Sequence, residues 1–134
     1  MRPALGLRMP DLRRPHVLVV DDDHAFADIV AELLEQEDFC VRRAYDGGEA
    51  LAILERGDPP DLVVSDMMMP KVTGSELVGA ARSIYPPERL PFILLSAGRD
   101  PRLENDHVWF MSKPVDFDRL LDQVHSVVEH RRRR

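Results

Sequence analysis

With a single cysteine, Cys40, the 134-residue chain cannot close an intrachain disulfide, so its stability has to come from a packed core. The apolar neighbours Phe39 and Val41 mark this thiol as a small buried hydrophobe in a reducing compartment rather than a reactive group. Long apolar runs are also lacking. None is long enough to cross a bilayer, and the N-terminus carries arginines and prolines but no apolar stretch of signal-peptide length; the sequence therefore predicts a cytoplasmic protein. Nor is there an excess of positive charge. A formal net charge of −6 argues against general affinity for nucleic acid or anionic membranes, even though the chain closes on Arg131 to Arg134. That short run reads as a solvated terminus that complements a helix dipole.

What remains, 44% hydrophobic and 31% charged, has the size and composition of one globular domain. Residues 1–15 hold four arginines and three prolines without a sustained period and read as a flexible leader. The domain is expected over 16–130, with a basic tail over 131–134. Five short segments read as strands: "VLVV" (17–20), "CVRRAY" (40–45), "LVVS" (62–65), "FILLS" (92–96) and "VWFMS" (108–112). Between them, Phe26, Ile29, Val30, Leu33 and Leu34 fall at helical spacing, as do Ala50, Leu51, Ile53 and Leu54, and then Leu77, Val78, Ala81 and Ile84. Leu120, Leu121, Val124, Val127 and Val128 make a last helix. Strand and helix alternating in this way imply right-handed crossovers on a parallel sheet whose central strands are covered on both faces. The fold class is α/β: a doubly wound, flavodoxin-like sheet with strand order 2-1-3-4-5.

In such a sheet ligands bind at the carboxyl ends of the strands, near the point where strand order reverses. The first strand ends in Asp21, Asp22 and Asp23, the third in Asp66, the fourth in Ser96, and Lys113 with Pro114 follows the fifth. Strands 1, 3, 4 and 5 are neighbours in this order, so these side chains converge on one crevice with Asp66 near its middle. Gathered carboxylates repel, by about 4 kcal/mol per pair at about 4 Å and an effective dielectric of about 20, and need a neutralising partner. A few hard oxygen ligands suit Mg²⁺, which keeps waters and leaves room for a phosphate oxygen. Lys113 can pair with such an anion and Ser96 can hydrogen-bond it. Carboxylate, Mg²⁺, lysine and hydroxyl together describe a phosphoryl site in which a carboxylate acts as nucleophile.

Four segments in order, "VLVVDDD", "LVVSDMMMPKVTG", "FILLSA" and "MSKPVD", resemble the receiver domain of two-component response regulators, the CheY-like superfamily, over about residues 16–130. The resemblance implies that Asp66 is the phosphoacceptor and that Asp21 and Asp22, with the backbone carbonyl of Met68, help it hold Mg²⁺. It implies further that Ser96 is the switch hydroxyl, Lys113 the phosphate-pairing lysine, Phe110 the aromatic that changes rotamer, and Lys113–Pro114 a cis peptide. The expected partners are a sensor histidine kinase or histidine phosphotransfer protein and a downstream protein, with no direct contact to nucleic acid or membrane. By this reading the chain is a stand-alone phosphoacceptor, its chemistry limited to self-phosphotransfer and autodephosphorylation.

Plainer roles compete at several positions. Asp23 reads as the N-cap of the first helix, and His24 as an exposed first-turn side chain rather than a metal ligand. Met67, Met68 and Met69 read as gap-filling or exposed loop residues, because the surrounding oxygens favour a hard ion. His107, His125 and His130 show no ligand spacing. From another class, a haloacid-dehalogenase-type phosphatase with Asp21 as nucleophile would use Asp21, Asp23, a strand-end serine and Lys113, but the chain has no room for a substrate cap and "SDMMMP" is left without a purpose. A receiver-like module that binds partners without phosphorylation is disfavoured by the intact acid pair, Asp66 and Lys113. One departure from the resemblance stands out. Only about ten residues separate the fourth and fifth strands, so the helix between them is expected to be short or absent, and Arg99 to His107, with Leu103 its one large apolar residue, to be mobile.

Overall fold

The computed structural model describes residues 14–98, 103 and 107–132. The elements run β1 (His16–Val20), α1 (His24–Gln36), β2 (Cys40–Ala44), α2 (Gly47–Glu55), β3 (Leu62–Asp66), α3 (Gly74–Arg82), β4 (Phe92–Ser96), β5 (Val108–Ser112) and α4 (Phe117–Arg132). The strands form one parallel sheet in the order β2-β1-β3-β4-β5. Strand order reverses between β1 and β3, the switch point at whose carboxyl ends doubly wound sheets bind their ligands.

Side-chain alternation along the strands divides the core into two halves. Leu18, Val20, Val63, Phe92 and Leu94 face α2 and α3, where Ala50, Ile53, Leu54, Leu77, Val78 and Ala81 meet them. Val17, Val19, Leu62, Val64, Ile93 and Leu95 face α1 and α4, where Ala27, Val30, Leu34, Leu120, Val124 and Val128 meet them. Every residue of β3 and β4 is buried, which is why these strands read as unbroken apolar runs. Fully burying one such Leu or Ile contributes about 1.5–3 kcal/mol.

Two helix faces differ from the periodic reading. In α1 the buried residues are Ala27, Val30, Ala31 and Leu34, while Ile29 is 47% exposed. Two alanines four residues apart let the helix lie close to the sheet, and this rotates the larger Ile29 outward. The α3 helix ends at Arg82, so Ile84 lies beyond its stripe and is exposed.

Among the described residues no α-helix lies between β4 and β5, in agreement with the expected short or absent helix. The mobility expected of Arg99 to His107 falls largely on positions outside the described residues. Leu103 is described: it is half-buried and packs on the α2 and α3 side of the core. The backbone of α4 continues two residues into the terminal arginine run, to Arg132. No helix among the described residues is long and apolar enough to cross a membrane.

Helix starts at the carboxyl end of the sheet are capped by side chains. Asp23 accepts from the Phe26 N–H, Asp46 from the Glu49 N–H, and Thr73 with Glu76 forms a reciprocal capping box. The β3–α3 loop is held in a tight path. Val72 N–H donates to the Pro70 carbonyl at 2.7 Å around Lys71, whose φ is 70°, a conformation with a strain cost for a residue bearing a Cβ. Gly74 N–H closes the loop on the Met67 carbonyl at 2.8 Å.

Gly74 has no room for a side chain: an added Cβ would lie 2.8 Å from the Asp66 carbonyl oxygen and 2.9 Å from Met67 Cα, both backbone atoms. Gly79, in the same helix, would meet nothing within 4 Å. Gly74→Ala is therefore expected to destabilise the domain by about 1–3 kcal/mol, and Gly79→Ala to stabilise it by up to about 1 kcal/mol. Urea midpoints of the two variants check the pair; a Gly74→Ala midpoint at or above wild type would overturn the packing account.

Candidate functional site

The carboxyl ends of β1 and β3 build the centre of the site. Asp21 directly follows β1 and stays in the ladder, donating its N–H to the Ala44 carbonyl at 3.1 Å. Its Oδ1 accepts from the Asp23 N–H at 2.9 Å, which fixes the carboxylate against the turn into α1. Asp66 is the last residue of β3 and is 4% exposed. Met67 N–H extends the β3–β4 ladder to Leu95 at 2.9 Å, and the buried Ser65 hydroxyl donates to the Asp66 carbonyl at 2.9 Å. The backbone that carries Asp66 is thus tied down on both sides.

Lys113 directly follows β5, two strands and about 10 Å from β3. Its N–H bonds the Ser96 carbonyl at 3.1 Å, and its extended stem carries Nζ to 2.6 Å from Asp66 Oδ1. This is a charge-assisted hydrogen bond with one partner buried and the other partly open to water. The Lys113–Pro114 peptide is cis, as the resemblance implies.

Carboxylate oxygens of Asp21, Asp22 and Asp66 all lie within 4.8 Å of one another, with Asp22 exposed and the other two buried. Burial is the largest cause that pushes the Asp21 carboxyl up from 3.8 to about 6; the Asp23 N–H hydrogen bond opposes it, Asp66 and Asp22 add to it, and Lys113 partly offsets it. A cluster of three carboxylates that shares one lysine is short of positive charge. Its donors are all hard oxygens, without nitrogen or sulfur, and so they fit a hard divalent cation such as Mg²⁺. Met68 lies two residues past Asp66, at most about 7 Å away along the chain.

The other candidate residues occupy a second rank. Ser96, at the end of β4, is buried, and its Oγ accepts from the Gly98 N–H at 3.0 Å. Phe110 on β5 is half-buried and packs on the α2 and α3 side of the core rather than in the carboxylate cluster. Asp23 is the α1 cap, as its sequence position suggests. His24 is exposed and stacks on Tyr45 with ring centroids 3.9 Å apart. His125 bonds Glu37 at 2.9 Å, far from the acids in sequence and on a different helix. A cavity of about 430 Å³ bordered by His16, Cys40, Arg42, Asp58 and Arg89 opens at the amino ends of the strands, away from the carboxylates.

Sequence reasoning missed several supports. The signal for the Thr73 cap was present as Thr-x-x-Glu at 73–76. Ser65 and Gly74 carried no such signal, because their roles depend on which backbone atoms the fold brings beside Asp66.

The response regulator receiver domain model matches residues 17–125. An uncharacterized 14.6 kDa protein of Leptolyngbya boryana is 39% identical over 113 residues, covering 81% of this chain and 86% of that protein. The transcriptional regulatory protein CpxR of Escherichia coli is 41% identical over 117 residues, or 84% of this chain, which spans 48% of its length. Among solved structures, the receiver domain of the hybrid histidine kinase CckA superposes with a TM-score of 0.72 at 32% identity, covering 84% of this chain and 98% of that one. The match to the family model over most of the chain agrees with the sheet order and the strand-end acids, and the chain belongs to the response regulator receiver domain family of two-component systems.

Proposed function

We propose that this chain accepts a phosphoryl group onto Asp66 from a phosphohistidine on a sensor histidine kinase or histidine phosphotransfer protein, and signals by binding a downstream protein. Receiver domains act as phosphoacceptor signalling domains that bind Mg²⁺ at an acidic pocket. The observation that carries the reading onto Asp66 is its buried place in the carboxylate cluster, with Lys113 Nζ 2.6 Å from Oδ1.

In the proposed step an Asp66 carboxylate oxygen bonds to phosphorus as the phosphorus–nitrogen bond to the donor imidazole breaks, and the electron pair stays on the imidazole nitrogen. The product is an acyl phosphate on Asp66. Mg²⁺ held by Asp21, Asp22, Asp66 and the Met68 carbonyl would neutralise charge on the phosphoryl oxygens. Lys113 exchanges its bond to Asp66 for one to a phosphoryl oxygen, so the cation stays paired throughout. Ser96 Oγ, one strand from Asp66, turns from the Gly98 N–H to donate to the same group, and the packing of Phe110 follows. Burial of Asp21 and Asp66 keeps bulk water from the centre of the cluster.

The phosphatase alternative needs Asp23 as the acid–base partner of Asp21. Asp23 instead caps α1 through the Phe26 N–H, and the chain's family is that of receivers.

Acetyl phosphate with Mg²⁺ is expected to add one phosphoryl group, seen by intact-mass spectrometry, and Asp66→Asn to abolish the adduct. Phosphorylation that persists in Asp66→Asn and is lost in Asp21→Asn would overturn the assignment. Lys113→Ala and Ser96→Ala are expected to fold, and Ser96→Ala to take up phosphate while losing the accompanying change in Trp109 fluorescence. A wild-type fluorescence change in both variants would remove these two residues from the switch.

The raised Asp21 carboxyl predicts how stability varies with pH in the metal-free protein. Because its folded value, about 6, exceeds the unfolded 3.8, the folded state binds the proton more tightly across this window. The contribution of Asp21 is therefore present at low pH and lost as pH rises from about 4 to about 6, by roughly 3 kcal/mol at most. In EDTA, the stability of wild type relative to Asp21→Asn should fall between pH 4 and pH 7, and Mg²⁺ should restore much of it. A difference that is flat or rises with pH would refute the burial of this charge.

A further inference from the structure

The three consecutive methionines of the β3–α3 loop have different environments. Met67 and Met69 are 9% and 6% exposed and belong to the core on the α2 and α3 side, and the Met67 sulfur accepts from Ser75 Oγ at 3.2 Å. Met68 is 72% exposed. Core packing accounts for the outer two. The middle side chain, two residues past Asp66 on a loop held by Gly74 and Thr73, presents its thioether to solvent.

A thioether is a soft nucleophile whose reaction with peroxides is governed by access, and the product is a polar, chiral side chain. We propose that Met68 is a modification site: hydrogen peroxide or an organic hydroperoxide converts it selectively to the sulfoxide, and the oxidised side chain slows phosphoryl transfer to Asp66. A sulfur lone pair attacks the terminal hydroxyl oxygen of the peroxide, the oxygen–oxygen bond breaks, and the proton that the sulfur-bound oxygen releases passes to the second oxygen, which leaves as water or an alcohol. Sulfur loses two electrons and the peroxide gains them. No thiol takes part.

Two features of the structure give the modification its consequence. The sulfoxide oxygen carries partial negative charge, and it is added two residues along the chain from Asp66, a member of a cluster that already holds three carboxylates and that an anionic phosphodonor must approach. Because Met67 and Met69 are sheltered, oxidation at Met68 leaves the core intact, and the effect is confined to entry to the site. The change is reversible by methionine sulfoxide reductases. The regulatory half rests on the reading of Asp66 as phosphoacceptor; the selectivity of oxidation does not.

The test treats the full chain with hydrogen peroxide, quenches it with free methionine, and follows the tryptic peptide from Gly57 to Lys71, which carries all three methionines, by fragment mass spectrometry. Met68 is expected to oxidise about tenfold or more faster than Met67 and Met69. Phosphorylation by acetyl phosphate should slow by about threefold or more in the singly oxidised protein and recover after reductase treatment, whereas peroxide-treated Met68→Leu keeps its untreated rate. Similar oxidation of all three methionines overturns the site. Selective oxidation with an unchanged phosphorylation rate overturns the regulatory effect. An unoxidised protein that takes no phosphoryl group overturns the phosphoacceptor reading and the regulatory half with it, while the oxidation ratio still decides the site.

Discussion

Three carboxylates drawn within 4.8 Å of one another set the terms for this domain. At that separation the mutual repulsion of two ionised groups is about 3–4 kcal/mol at an effective dielectric of about 20, and burial of Asp21 and Asp66 weakens the screening further. Lys113 relieves part of it through Asp66, at the cost of holding a long side chain across β4. The remaining excess of negative charge fits the site to a hard cation.

The sheet supplies the framework that tolerates this concentration of charge. β3 and β4 are buried along their whole length, so the strand that bears Asp66 is anchored by apolar packing on both faces before its last residue meets the acids. The ladder then continues past the strand ends through Met67 to Leu95 and Lys113 to Ser96, which carries the order of the core into the loops. The strain in the loop itself falls at Lys71, and the loop is held by bonds from Gly74 and the Thr73 cap. Stability is invested in the sheet, and the polar groups use the positions it fixes.

Much of this was legible in the sequence, for reasons specific to parallel sheets. Buried central strands read as unbroken apolar runs, their ends are marked by the first polar residue, and topology alone brings neighbouring ends together; Asp21, Asp66 and Lys113 could therefore be placed side by side from strand order. Asp23 could be read as a cap because its position ahead of a helical pattern has a local cause. Ile29 was misplaced because hydrophobicity was weighed without size: the face of α1 that meets the sheet is chosen by Ala27 and Ala31, which permit close approach. Ser65 and Gly74 were not legible at all, since a hydroxyl bonded to the neighbouring carbonyl and a missing Cβ against another segment's backbone leave no periodic trace. The local bond of the Ser96 hydroxyl to the Gly98 N–H was likewise invisible to strand order.

The contact between α2 and the β3–α3 loop carries its own consequence. A Cβ at Gly47 would fall 2.6 Å from both Cβ and Cγ1 of Val72, so the helix start and the loop contend for one methyl-sized volume. The two positions therefore cannot vary independently: a larger residue at 47 demands a smaller one at 72, and an enlarged 72 is tolerated only while 47 stays glycine. Such a shared volume works as a lock-and-ward between a helix far from the carboxylates in sequence and the loop that follows Asp66. Substitution at the start of α2 is thereby limited by the shape of the loop that follows Asp66.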